Sequence, residues 1–231
     1  MFYIDPLYIL FALPGLILSL LASFFVKSTF GKYSQVMSRR GLTGAEAARM
    51  MLERQGITDV AIDHASGFLG DHYDPSCKTL RLSADVYGSS SISAIGVACH
   101  EAGHAIQHAT GYSFLALRSA LVPVASIGSN VSYFIFLAGF IFQAPFMLKL
   151  GCLLFAMAVL FTIVTLPVEW DASARAKAAM VQAGFLSHEE ENGAASVLNA
   201  AFMTYVAGAV SALMTLLYYM MRAGLLGRRD D

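Results

Sequence analysis

The residues best suited to do chemistry form one short run, His100-Glu101-Ala102-Gly103-His104, which spells H-E-x-x-H. Two histidines four apart on a helix lie one turn apart on one face, so both imidazoles can bind a single metal ion. Imidazole nitrogen at about 2.0–2.1 Å is a preferred ligand of zinc. The glutamate between them can take a proton from water that the metal activates. The run predicts a hydrolytic zinc site with His100 and His104 as ligands and Glu101 as the acid and base.

Two histidines leave the ligand set incomplete, because a catalytic zinc ion commonly takes three protein ligands and keeps a fourth position open. The pattern H-E-x-x-H-x-x-G-x-x-H is excluded, since positions 107 and 110 are Gln and Thr. His108 stands eight residues beyond His100, about 12 Å along a straight helix, so binding one ion from both would break the helix. We expect His108 to be a polar residue near the helix end, or a residue that contacts a ligand.

A glutamate from a later helix would complete a thermolysin-type set of two histidines and one carboxylate. Glu169 is the candidate, because it follows an apolar run directly, where a carboxylate costs desolvation unless a cation pairs with it. The alternative role is an interfacial acid at a helix start, stabilised by the helix dipole. Three other acids, Glu189 to Glu191, follow Ser187 in an S-x-x-E box and predict the first turn of another helix.

The composition indicates a membrane protein. Hydrophobic residues make up 57% of the 231 positions, and the mean hydropathy is +0.60, above the range of ordinary soluble domains. Four apolar stretches approach the length of about 20 residues that crosses a bilayer: residues 7–26, 120–142, 146–168 and 197–221. The net charge of −1 gives no indication of a nucleic-acid partner, so the predicted partners are a lipid bilayer and a substrate.

Charge around the first segment predicts the direction of insertion. Residues 1–6 carry no Lys or Arg, unlike a signal peptide, whereas four basic residues follow the segment: Lys27, Lys32, Arg39 and Arg40. The positive-inside rule then puts the amino terminus outside and the region after position 26 in the cytoplasm. Arg175 and Lys177 agree with this topology. Three arginines near the carboxyl terminus disagree, but early segments usually dominate: Arg222, Arg228 and Arg229.

Residues 27–118 predict a small α+β soluble domain that carries the H-E-x-x-H helix. A capping box, Thr43-Gly44-Ala45-Glu46, predicts a helix to about Gln55. Alternating stretches follow at 60–62 and 67–69, and the turn Asp74-Pro75-Ser76 predicts a hairpin between 72–73 and 79–82. The metal-site helix should begin near Ser91 or Ser93 and end at Gly111. Residues 169–196 are then a loop or helix that supplies the third ligand.

The three cysteines do not indicate a further site. Cys77, Cys99 and Cys152 are widely spaced and odd in number, without a C-x-x-C pair. They predict neither a disulfide framework nor a cysteine zinc site.

Several runs outside the metal motif are specific as well: residues 7–20, Lys27-Ser28-Thr29-Phe30, Gly41-Leu42-Thr43-Gly44, Asp71-His72-Tyr73-Asp74-Pro75, residues 100–108, residues 117–123 and Leu166-Pro167-Val168-Glu169. With them the chain resembles the YugP-like family of bacterial membrane zinc metallopeptidases over nearly its whole length. The resemblance implies a plasma-membrane peptidase with one zinc ion, bound by His100 and His104, and Glu101 as the catalytic acid and base.

A looser similarity connects the chain to the membrane-embedded gluzincins, the HtpX-type and prenyl-protein endopeptidases. In those proteins the third ligand opens an E-x-x-x-D run on a helix after a membrane hairpin. Glu169 matches the glutamate, whereas position 173 is Ser and the nearest acid is Asp171. The departure leaves open which residues orient the ligand histidines.

These observations predict a mainly α membrane protein of about four transmembrane helices, with a zincin-like α+β domain between the first and second. The predicted function is a zinc endopeptidase acting on membrane or membrane-proximal proteins, with its catalytic domain in the cytoplasm. The group that stabilises the oxyanion stays open among four residues: Tyr73, His72, Arg118 and Tyr205. A zinc-binding scaffold without turnover is the main alternative, and a transporter is disfavoured because the ionisable cluster lies outside the apolar segments. Oligomeric state is not indicated.

Overall fold

The computed structural model describes residues 5–65 and 70–226, which form seven helices and three strands. In chain order they are α1 (Pro6–Ser34), α2 (Gly44–Arg54), β1 (Ala61–His64), β2 (His72–Asp74), β3 (Thr79–Leu82), α3 (Ala84–Tyr87), α4 (Ile92–Ala109), α5 (Ser113–Ile141), α6 (Pro145–Gln182) and α7 (His188–Arg222). The chain is therefore mainly helical with one small sheet. The expected strand at 67–69 and the arginines at 228 and 229 lie outside the described residues.

Four of these helices are long and apolar enough to cross a membrane: α1, α5, α6 and α7. They correspond to the four apolar stretches of the sequence, so the predicted number of candidate spans is confirmed. Each of the last three continues beyond its apolar stretch into polar sequence. Helix α6 is the clearest case, because it runs without a break through Pro167 and Glu169 to Gln182.

The chain forms two compact units. The first unit includes 5–22, 117–166 and 204–226 of the described residues. Small residues let its helices approach closely: a Cβ at Gly128 would collide with the carbonyl oxygen of Leu154. Phe136 and Tyr219 stack with ring centroids 3.8 Å apart. Tyr218 donates a 3.0 Å hydrogen bond to Asp5, which joins the start of α1 to the end of α7.

The second unit, described over 23–65, 70–116 and 167–203, contains the sheet and the metal motif. Its strand order is β1-β3-β2, with β1 parallel and β2 antiparallel to the central β3. The predicted hairpin is therefore confirmed, and β2 forms an edge of the sheet. Leu80 and Leu82 of β3 are fully buried in a core shared with α2 and α4, because alternate residues of a strand point to one face.

Helices α2 and α4 begin as the sequence predicts. Thr43 accepts a bond from the backbone of Glu46, whose side chain in turn accepts one from the backbone of Thr43. Ser91 caps α4 by accepting from the backbone N–H of Ala94. The chain leaves α4 through Gly111, whose φ of +64° is a conformation that side-chain-bearing residues rarely adopt.

The position of Glu169 within α6 differs from the expected loop or helix start. The apolar run ends at 168, but the helix does not, because the following 172–180 segment is rich in alanine, the best helix former. Glu169 and the residues after it are thus held on a rigid helix.

Candidate metal centre

The structure brings His100, His104 and Glu169 together in the second unit. Glu169 Oε2 lies 3.2 Å from Nε2 of His100 and 3.6 Å from Nε2 of His104. One candidate ligand atom from each residue falls within 4.8 Å of the others. The carboxylate is nearly fully buried, with 2% of its side chain exposed, and the two imidazoles are 14% and 11% exposed.

The two distances from Glu169 to the imidazole nitrogens are close to the spacing of ligand atoms around a tetrahedral zinc ion. Bonds of 2.0–2.1 Å at tetrahedral angles place neighbouring ligand atoms about 3.3 Å apart. The observed nitrogen-to-oxygen distances of 3.2 and 3.6 Å bracket this value. The first contact is short enough for a hydrogen bond between His100 and Glu169, whereas the second is longer than one. Two imidazoles and a carboxylate are also a donor set that suits zinc.

Close packing of α4 on α6 sets these distances. Gly103 faces Ala172, and a Cβ at position 103 would lie 2.7 Å from the carbonyl oxygen of Ala172. On α6, the residues Val168, Ala172 and Ala176 recur every four positions and are all fully buried, which is the spacing of one helix face. The small residue inside H-E-x-x-H therefore allows the approach that carries Glu169 to the histidines.

Each histidine also contacts a neutral side chain through Nδ1. Ser173 Oγ lies 3.1 Å from Nδ1 of His100, and Gln107 Oε1 lies 3.0 Å from Nδ1 of His104. Both Nε2 atoms are left to face the carboxylate of Glu169. Ligand histidines generally use their second nitrogen in this way, which orients the ring.

Glu101 lies beside the edge of the sheet rather than among the three donor groups. Its Oε2 accepts a 3.1 Å hydrogen bond from the backbone N–H of Tyr73 on β2. Burial raises the pKa of Glu101, and the neighbouring imidazoles of His100 and His104 oppose that rise. A half-buried carboxyl whose pKa is raised is well suited to take up and return a proton.

His108 is exposed near the end of α4, and its Nδ1 lies 2.8 Å from the hydroxyl of Tyr73. Burial, followed by the carboxylates of Asp59 and Asp74, raises the pKa of Tyr73, so its hydroxyl stays protonated at neutral pH. The expected role as a polar residue near the helix end agrees with this placement. Among the described residues, the three-donor group does not include His108.

A cavity of about 520 Å³ opens at this end of α4. Its wall includes Tyr73, Ala105, His108 and Ala109, and residues between α2 and β1, among them Val60, line the other side. Residues 101, 105 and 108 share one helix face, so the cavity lies on the face of α4 that also carries Glu101. Of the other oxyanion candidates, His72 contacts the carbonyl oxygen of Gly70, and Arg118 and Tyr205 belong to the first unit.

The thiol next to the first histidine is not a ligand candidate. Cys99 is fully buried, and burial raises its pKa to about 12. In the part of the chain that the structure describes, the three-donor group does not include Cys99.

The sequence alone did not identify Gln107 as a partner of His104. In the sequence, Gln at position 107 excludes the H-E-x-x-H-x-x-G-x-x-H pattern, and its spacing of three from His104 also places it on the same helix face. Ser173 departs from an E-x-x-x-D pattern, yet its hydroxyl contacts the first histidine. Both contacts depend on how α4 and α6 are aligned, which the sequence does not state.

Comparisons with known proteins agree with the chemistry of this site. A family model described as "Putative neutral zinc metallopeptidase" matches residues 8–224. The chain is 46% identical over 215 residues to "Putative membrane protease YugP" of Bacillus subtilis (strain 168), covering 93% of this chain and 96% of that protein. No solved structure matches the chain significantly.

Proposed function

From the premise that this chain belongs to the neutral zinc metallopeptidase family, we propose that it is a zinc-dependent endopeptidase of the membrane. It hydrolyses peptide bonds in membrane or membrane-proximal proteins. The observation that carries the proposal is the convergence of His100, His104 and Glu169, with Glu101 one residue from the first histidine. A single zinc ion per chain is held by these three residues.

Bound zinc supplies a Lewis acid and a water molecule that ionises near neutral pH. The side chains of the protein do the rest. Glu101 holds a proton on its carboxylate and delivers it to the amine of the departing peptide. Ser173 and Gln107 keep the imidazoles turned so that both Nε2 atoms face Glu169. Burial shields the carboxylate of Glu169 from bulk water.

The substrate docks as an extended chain along β2, the sheet edge next to Glu101. Tyr73 directs its backbone N–H away from β3 and towards the carboxylate of Glu101. An extended peptide can pair with an exposed strand edge through main-chain hydrogen bonds. The cavity beyond Ala105 and His108 accepts a side chain of the substrate, and the Tyr73 hydroxyl on its wall is available to bond the peptide. In this proposal the second unit is a zincin-like domain of the gluzincin type.

The membrane assignment follows from the four apolar helices, and the direction of insertion follows from the basic residues that begin at Lys27. The bilayer is that of the bacterial plasma membrane. The catalytic residues are reached from the cytoplasm, since an even number of crossings separates the region after α1 from the polar part of α6. Glu169 follows the apolar part of α6 directly, so bonds near the membrane surface are the accessible ones.

The test is peptide cleavage by the purified full chain, loaded with zinc in detergent micelles. Glu101→Gln should keep its zinc and lose cleavage by about 10²–10⁴-fold, the usual contribution of a positioned acid and base. Glu53→Gln, on the exposed side of α2, is the matched control and should cleave as the parent does. Equal cleavage by Glu101→Gln and the parent contradicts the proposed mechanism. A parent that binds zinc but cleaves no peptide supports a zinc-binding scaffold instead.

A further inference from the structure

Gln107 is a fully buried polar side chain one turn beyond the second histidine. Its carboxamide contacts three polar groups. The oxygen Oε1 lies 3.0 Å from Nδ1 of His104, and the nitrogen Nε2 lies 2.8 Å from both the carbonyl oxygen of Val168 and Oδ2 of Asp171. The contacts with α6 thus involve the backbone just before Glu169 and a carboxylate just after it.

These contacts determine which atom of the Gln107 carboxamide is the oxygen and which is the nitrogen. The Val168 carbonyl and the Asp171 carboxylate can only accept, so the NH₂ group of Gln107 must face them. The carbonyl oxygen of the amide then faces His104 and can only accept. His104 must therefore donate from Nδ1, and the hydrogen of the neutral imidazole resides on that atom. Nε2 is left with a lone pair directed at the position between the three donor groups.

We propose that Gln107 is a positioning residue that holds His104 in the tautomer able to bind zinc. The inference rests on the proposed function, because it concerns the same zinc site. A neutral histidine has two tautomers, and only the one with hydrogen on Nδ1 offers Nε2 to a cation. Glu169 Oε2, 3.6 Å from Nε2, favours the opposite tautomer in the zinc-free protein, since a carboxylate attracts an N–H. Gln107 opposes that preference.

A second layer of bonds supports the amide. Asp171 Oδ2 also accepts a 2.6 Å hydrogen bond from Nε of Arg175, four residues further along α6, and the guanidinium lies 5.9 Å from the ring centre of Tyr112. The chain of contacts runs from Arg175 through Asp171 and Gln107 to His104. Asp171 Oδ2 thus accepts from both Gln107 and Arg175, which is what the orientation of the amide requires.

The two histidines differ in whether the partner of Nδ1 selects a tautomer. Ser173 contacts Nδ1 of His100 through a hydroxyl, which can either donate or accept. Its hydroxyl therefore orients the first ring without selecting a tautomer. Gln107 both orients the ring of His104 and selects its tautomer, because its amide cannot turn without losing its contacts with Val168 and Asp171.

The experiment measures zinc affinity by competition with a chelator in three full-length variants. Gln107→Met keeps the size and removes the acceptor, so zinc should bind about 10–100-fold more weakly. Gln107→Glu keeps an acceptor at Nδ1 but loses the NH₂ donor towards Val168 and Asp171, so zinc should bind more weakly than in the parent and more tightly than in Gln107→Met. Gln35→Met, an exposed glutamine, is the control and should leave affinity unchanged. Equal losses in Gln107→Met and Gln107→Glu would indicate a merely structural role and overturn the proposal.

A spectroscopic readout of the parent protein does not depend on the stability of any variant. Histidine-selective ¹⁵N NMR of the zinc-free parent at alkaline pH should show His104 with its hydrogen on Nδ1, and Gln107→Met should shift it towards Nε2. A parent with the hydrogen on Nε2 refutes the inference. If the parent binds no zinc, the proposed function itself fails; if it binds zinc and Gln107→Met binds equally tightly, only the role of Gln107 fails.

Discussion

His100 and Ser173 are joined across α4 and α6 by a 3.1 Å contact between the imidazole Nδ1 and the hydroxyl oxygen. Ser173 stands four residues after Glu169, so one face of α6 carries both the third donor group and the partner of the first histidine. An E-x-x-x-D run beginning at Glu169 would place Asp at position 173, whereas this chain has a neutral hydroxyl there. A neutral partner makes the imidazole less basic than a carboxylate does.

Replacing that hydroxyl with a carboxylate should strengthen the metal site. Ser173→Asp gives Nδ1 of His100 a charged acceptor, which raises the basicity of Nε2, and we expect zinc to bind up to about tenfold more tightly. Ser173→Ala should weaken binding by about 10–100-fold. Chelator competition measures both. Ser196→Asp, on an exposed face of α7, controls for added charge. Weaker binding in Ser173→Asp than in the parent would show that the hydroxyl is not a substitute for the carboxylate.

The ligand set can be counted directly by measuring bound zinc per chain after gel filtration. His100→Ala, His104→Ala and Glu169→Ala should each lose most of the metal, because two remaining donors do not hold zinc against dilution. His108→Ala is the matched histidine control and should retain about one zinc per chain, since the side chain bonds Tyr73 instead. Retention of zinc by Glu169→Ala together with loss in His108→Ala would reverse the assignment.

The closeness of α4 and α6 at Gly103 leads to a prediction about packing. Gly103→Ala places a methyl group 2.7 Å from the backbone carbonyl of Ala172, where a helix rather than a flexible side chain must move. We expect a loss of about 1–3 kcal/mol in unfolding free energy and weaker zinc binding, since Glu169 moves with α6. Thermal unfolding and chelator competition measure the two effects.

Gly88→Ala provides the control for that substitution. The exposed Gly88 has no heavy atom within 4 Å of an added Cβ, and its φ of −98° suits alanine. Unfolding and zinc affinity should stay near those of the parent. Parent-like behaviour of Gly103→Ala would mean that α6 does not need to approach this closely.

Local signals in the sequence predicted much of the second unit. The reciprocal bonds of Thr43 and Glu46, the hairpin turn at Asp74 and the exit of α4 at Gly111 each depend on a few neighbouring residues, and each is confirmed. Such features need no knowledge of distant packing. The same holds for α7, where Ser187 and Glu190 exchange the bonds of a capping box.

Features that depend on the alignment of two helices were not predicted. The sequence predicted Glu169 as a partner of the histidines, because a carboxylate beside an apolar run costs desolvation free energy unless a cation pairs with it. It did not predict that Glu169 lies inside a continuous helix. The contacts of Gln107 with Val168 and Asp171 require α4 and α6 to lie side by side in one register. That register depends on the close contact of Gly103 with Ala172. In the sequence alone, these two small residues cannot be distinguished from the ordinary composition of a helix.

The cavity lined by Tyr73 and His108 should influence which peptides are cleaved. Ala109→Trp places a large side chain into the 520 Å³ space, which should disfavour substrates with bulky residues more than those with small ones. Profiles of cleavage over a peptide library measure the change, and zinc content should stay that of the parent. Ala179→Trp is unsuitable as a control because it packs against the core; Ala116→Trp, on an exposed position of α5, serves instead. An unchanged profile would separate the cavity from substrate recognition.

The side of the membrane that the catalytic residues face can be tested with the cysteines the chain already has. Cys77 is exposed, whereas Cys99 and Cys152 are buried, so a membrane-impermeant maleimide should modify Cys77 alone. If the region after α1 is cytoplasmic, Cys77 reacts in inside-out vesicles and not in intact spheroplasts. Cys77→Ser should abolish labelling in both.

In that background, Gln143→Cys, in the turn between α5 and α6, should react in spheroplasts, because one membrane crossing separates it from the second unit. Labelling of Cys77 from outside would show the opposite topology. The arginines from Arg222 onwards, rather than the basic residues after α1, would then determine the direction of insertion.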